Sequence, residues 1–71
     1  MKYLLGNPDI GKIYRIEYNN QQVYDAEVLE HEGGCWAKIK VVNVLPSQME
    51  KHYSQGQVFD IKLGMYNLIE I

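Results

Sequence analysis

Cys35 is the only thiol in the chain and His31 lies four residues before it, so nucleophilic or metal-binding chemistry would have to start from this pair. Gly33-Gly34 stands between them. Two glycines between alternating strands read as a two-residue hairpin turn, because both can take positive φ. In that register Glu32 faces Cys35 and His31 faces Trp36, which sends the His31 and Cys35 side chains to opposite faces. Cys35 is therefore expected on the inner face near the hairpin tip. One thiol and two histidines also fall short of the four ligands of a structural zinc site. His52 stands in a polar stretch without a titrating partner. Phosphate-cradling loops, nucleophile elbows and paired metal ligands have no counterpart in the sequence. The expectation is a protein that is not an enzyme and takes no cofactor or metal.

A second group of residues suits binding better than catalysis. Trp36 is followed by Lys38 and Lys40 on the same side of a strand. A large ring beside cations can stack on single-stranded nucleic acid or anchor a protein interface. The hairpin register adds residues from both strands, so the candidate partner-binding face is Leu29, His31, Trp36, Lys38, Lys40 and Val42. Ile13 and Val23 are expected among the charges of this face, and a contiguous apolar patch with Trp36 would mark an interface. The competing reading of Trp36 is a lid folded over the end of the core. Glu27 is expected opposite Lys40 and Asp25 opposite Arg15, which balances the cations locally. The net charge of −2 weighs further against a phosphate backbone, whose affinity grows with each neutralised charge. A protein partner or a second copy of the chain is the expected ligand. The alternative is a single-stranded nucleic acid held by Trp36, Lys38, Lys40 and Tyr14.

The elements that must position these residues alternate with a period of two. The Gly-Gly turn pairs Val28 with Ile39 and Ala26 with Val41 on one face, and Glu27 with Lys40 and Leu29 with Lys38 on the other. Lys12 to Tyr18 forms the preceding strand, with Tyr14, Ile16 and Tyr18 inward. A three-residue loop, Asn19-Asn20-Gln21, pairs Ile16 with Tyr24 and Arg15 with Asp25, whereas a two-residue loop would oppose apolar to polar faces. From Val42 to Leu45 both faces are apolar, as in a strand that bends between two sheets. Pro46 stops that strand. Ser47-x-x-Glu50 has capping-box spacing and predicts a short helix over Gln48 to Ser54, with Met49 and Tyr53 covering the end of the core. Val58 to Leu63 and Leu68 to Ile71 read as further strands, and Met1 to Leu5 as a short edge strand.

Residues 1–71 are thus expected to form one small all-β domain, a five-stranded antiparallel barrel with one helix between the third and fourth strands. A helix in that place favours an OB-like over an SH3-like arrangement. Tyr53-x-x-Gly56-Gln57-x-Phe59-x-Ile61 is similar to the entry to the fourth strand in OB domains, whereas Leu63-Gly64-Met65-Tyr66-Asn67-Leu68 resembles the 3₁₀ corner before the last strand of SH3 barrels. Both likenesses concern fold and imply no function. Tyr14, Tyr18, Tyr24 and Tyr66 are expected either to pack at the rim of the barrel or to line a groove for an extended peptide. A domain this small buries only roughly 60% of its unfolded surface and has no disulfide to help it. No stretch is long enough for a signal sequence or a membrane span, and a lone cysteine suits a reducing compartment. A soluble cytoplasmic protein is expected.

Overall fold

Alternating apolar and polar residues build one antiparallel sheet in the computed structural model, which describes residues 2–71. Six strands follow in chain order: β1 (Lys2–Tyr3), β2 (Ile13–Tyr18), β3 (Gln21–His31), β4 (Trp36–Val44), β5 (Val58–Lys62) and β6 (Asn67–Glu70). Their order across the sheet is β1-β6-β2-β3-β4-β5. The two edges, β1 and β5, do not pair with each other, so the sheet bends around its core without closing into a barrel. Met1, the first residue of the expected edge strand, lies outside the described residues.

Bulges shape the sheet at three places. Between β2 and β3 the pairs Ile16–Tyr24 and Arg15–Asp25 form as expected from the alternation. The turn that produces them differs from expectation. Asn19 and Asn20, at φ 53° and 65°, make a two-residue turn that pairs Tyr18 with Gln21, and Val23 is then the extra residue that restores the apolar register. Asparagine tolerates this left-handed backbone, which hairpin turns of matching twist require. Val23 is fully buried as a result and does not belong to the outer face.

Between β3 and β4 the central pairs Ala26–Val41, Glu27–Lys40 and Val28–Ile39 are those of the alternating pattern. Toward the tip Leu29 bulges out of the ladder. Glu30 therefore takes the place opposite Lys38, and His31 pairs with Ala37 instead of Trp36. The tight Gly-Gly turn is replaced by a wider loop through Glu32, Gly33, Gly34 and Cys35, in which Gly33 but not Gly34 has a positive φ. At the other end Val42 bulges between the Val41 and Asn43 pairs, which explains the lost alternation there.

One cluster joins Tyr14 and Ile16 of β2, Tyr24, Ala26 and Val28 of β3, Ala37, Ile39 and Val41 of β4, Ile61 of β5 and Leu68 of β6. Strands on both sides of the order can share one core only if the sheet folds over it. Met49 and Tyr53 pack against this cluster as expected, but not from a helix. The segment contains a single 3₁₀ turn, Glu50–His52, and the Ser47 hydroxyl accepts the Met49 N–H at 3.1 Å without capping that turn. The seven residues Gln48 to Ser54 are too few to offset the cost of nucleating an α-helix, and the serine closes its own local turn instead. The helix that chiefly favoured an OB-like arrangement is replaced by this 3₁₀ turn, which removes the main argument for that choice. A second 3₁₀ turn, Leu63–Met65, leads into β6 where the sequence resembled such a corner.

Tyr24 stands at the aromatic end of the core. Its ring lies 4.6 Å from Tyr53 and 6.0 Å from Phe59, while Tyr18 and Tyr66 pair at 5.0 Å. These rings pack with one another, and Tyr14 and Tyr24 are completely buried, which favours packing over an open peptide groove. The Tyr24 hydroxyl is buried without a hydrogen-bond partner among the described residues. Burial first, and then the neighbouring Tyr53 and Tyr66, raise its pKa far above the ordinary tyrosine value. Because the folded-state pKa is raised, the stability linked to Tyr24 is complete below the unfolded value of about 10 and is lost as pH rises from there toward the folded value. Tyr24→Phe removes an unsatisfied donor, so it is expected to raise stability at neutral pH by about 1 kcal/mol and to blunt alkaline unfolding. Urea unfolding at neutral and alkaline pH tests both, and a lower midpoint at neutral pH would contradict them.

Candidate functional site

The hairpin of β3 and β4 ends in a surface cleft of about 330 Å³, lined by Glu30, His31, Glu32, Gly34, Cys35, Trp36, Lys38 and Asp60. Such a volume is at the small end of the range for ligand sites, roughly 300–1,000 Å³. Trp36 is 59% exposed. The ring does not close the core. Its position follows from strand parity, since Ala37, Ile39 and Val41 are buried and the residues between them turn outward.

Of the six residues expected to form one face, three line the cleft: His31, Trp36 and Lys38. Leu29 and Val42 are half-buried at their bulges, and exposed Lys40 lies farther along β4, opposite Glu27 on one side and Val58 on the other. Ile13 is partly exposed opposite Glu27. The outer apolar residues therefore do not join Trp36 in one stripe. The cleft also brings in residues that the alternation did not assign to it. Glu30 enters because Leu29 bulges. Asp60 enters because β5 pairs with β4 and sets Asp60 opposite Lys38. That second partner was available from parity, as Phe59 and Ile61 turn inward and Asp60 must turn outward with Lys38.

Cys35 is a free, exposed thiol in the loop and not an inner-face residue. The widened loop places it with His31 along the same cleft, contrary to the opposite faces expected of a tight turn. The His31 imidazole is engaged locally: Nε2 donates to the Gly34 carbonyl oxygen at 3.0 Å, which holds the loop against the end of β3. Among the described residues no group of three or more His, Cys, Asp or Glu side chains is placed to hold a metal ion.

The electrostatics of the cleft are unequal. Lys38 Nζ lies 3.4 Å from Glu30 Oε2, so these two charges offset each other. Glu32 and Asp60 remain as additional carboxylates along the cleft that Trp36 also lines. For a nucleic-acid strand this arrangement is unfavourable, because the one cation lining the cleft is already matched and two further carboxylates line it. Tyr14, the other ring considered for stacking, is fully buried, and its hydroxyl accepts the Asp9 N–H at 2.9 Å.

Compared with known protein families, curated proteins and solved structures, the chain matches none. No helix among the described residues is long and apolar enough to cross a membrane.

Proposed function

We propose that this domain is a non-catalytic binding module that engages a protein, either a partner or a second copy of itself, through the outer face of β3 and β4 around Trp36. The observation that supports this most is the indole itself. A Trp that is 59% exposed at the rim of a concave site offers a large apolar surface for a partner to bury, and Trp is among the residues most enriched at interface hot spots. The mixed charges around it suit the polar rim of a protein interface. The bent meander and the 3₁₀ corner before β6 favour the SH3-like of the two small-barrel arrangements, an analogy of fold that carries no function. The free thiol of Cys35 suits a reducing, cytoplasmic setting.

Sedimentation equilibrium over micromolar concentrations tests the self-association form of this reading. Wild type is expected to associate and Trp36→Ala to remain monomeric with an unchanged unfolding midpoint. Association that is the same in both proteins would overturn the role given to Trp36.

A further inference from the structure

We infer that the occupant of the Trp36 cleft is an arginine side chain presented by a protein segment. This rests on the protein-binding reading above and specifies its chemistry. The lining holds three carboxylates, Glu30, Glu32 and Asp60, against the single ammonium of Lys38. The Lys38–Glu30 ion pair at 3.4 Å accounts for one carboxylate and leaves the excess negative charge on Glu32 and Asp60. These two come from different parts of the fold, the hairpin loop and β5, and both lie along the same concavity as the exposed Trp36 ring. Lys62 faces Trp36 across the β4–β5 ladder and shares the outer face of β5 with Asp60, so it offsets a second carboxylate and the neighbourhood keeps an excess of one negative charge. An aromatic face attracts a cation, and a guanidinium can stack on that face while its N–H groups donate to carboxylates at its edge. A carboxylate or phosphate would meet like charge in the same place. An ammonium would satisfy the charge but not the planar stacking, so arginine fits better than lysine.

Trp36 is the only tryptophan in the chain, so its emission reports directly on the site. The probe is a capped Gly-Arg-Gly-Arg-Gly peptide added to the intact chain, compared with the same peptide carrying citrulline, which keeps the planar shape and removes the charge. The arginine peptide is expected to change the emission saturably with a dissociation constant of about 1 mM or below, and the citrulline peptide to bind at least about tenfold more weakly. Binding should weaken as ionic strength rises from about 0.01 to about 1 M, over which the screening length falls from roughly 30 to 3 Å. The Glu32→Gln/Asp60→Asn double variant alters only exposed side chains and is expected to keep the unfolding midpoint while losing most of the affinity.

Equal binding of the two peptides, no saturable change with the arginine peptide, or full affinity in the double variant would each overturn the assignment. Saturable binding of an oligothymidylate in place of the arginine peptide would overturn it as well. The two readings fail separately. Trp36-dependent association without arginine binding would leave the protein-binding face standing and remove the arginine. Arginine binding together with association unaffected by Trp36→Ala would do the reverse.

Discussion

Ile39→Ala is expected to lose about 2–5 kcal/mol of stability, a loss comparable with the whole margin of a domain of this size. Ile39 is completely buried in β4, paired with Val28 of β3 on one side and with Phe59 of the edge strand β5 on the other. Deleting three of its side-chain carbons removes their burial and leaves a cavity that strands fixed on both sides cannot easily fill. Lys38→Ala, one residue away on the outer face, is expected to stay within about 0.5 kcal/mol of wild type, as surface substitutions usually do. Urea denaturation of the two variants measures the contrast. Comparable losses in both would mean that the inner and outer faces of β4 are not energetically distinct.

The second large effect is expected at Arg15. Its guanidinium grips Asp25 with two hydrogen bonds, Nε to Oδ1 at 2.8 Å and Nη2 to Oδ2 at 3.3 Å. Asp25 is only 7% exposed. Its hydrogen bond to the arginine is the leading cause that raises the Arg15 pKa, so the guanidinium stays charged. Arg15→Met keeps the apolar stem but leaves a carboxylate with little water and no cation. The expected loss is roughly 2–4 kcal/mol, somewhat under the value for fully buried pairs because the Arg15 side chain remains 25% exposed. Adding Asp25→Asn to that variant should recover part of the loss, since the uncompensated charge is then gone. A double variant no more stable than Arg15→Met would show that the lost guanidinium packing, and not the stranded carboxylate, sets the effect.

The pairs at the centre of the sheet were legible because burial on one face imposes a strict period of two. Val28–Ile39 and Ile16–Tyr24 follow from that period alone. The turns were not, since a bulge can trade against loop length without disturbing the pairs beyond it. A two-residue Asn19-Asn20 turn with Val23 bulged gives the same Ile16–Tyr24 pair as a three-residue loop. At the other tip the same ambiguity mattered more. The bulge at Leu29 exchanged Leu29 for Glu30 opposite Lys38 and carried Cys35 from the inner face into the loop. Leu29, an apolar residue at an expected outward position, was the one local signal of that shift. Trp36 was placed correctly on the outer face because the parity of β4 is fixed from Ala37 to Val41, beyond the reach of either bulge. The helix failed for another reason. Capping spacing specifies how a helix could begin, whereas its persistence depends on length, and here only one 3₁₀ turn forms.

Site-specific photocrosslinking tests the protein-binding face most directly. A benzophenone amino acid replaces Lys40, an exposed residue on the outer face of β4 that does not line the cleft, and in a separate protein replaces Gln22, exposed near the start of β3 and far from the hairpin tip. Irradiation in the cells that express the protein is expected to give a discrete protein adduct from position 40, lost when Trp36→Ala is added, and none from position 22. Adducts of equal yield from both positions, or an adduct from position 40 that survives Trp36→Ala, would contradict a recognition face built around Trp36.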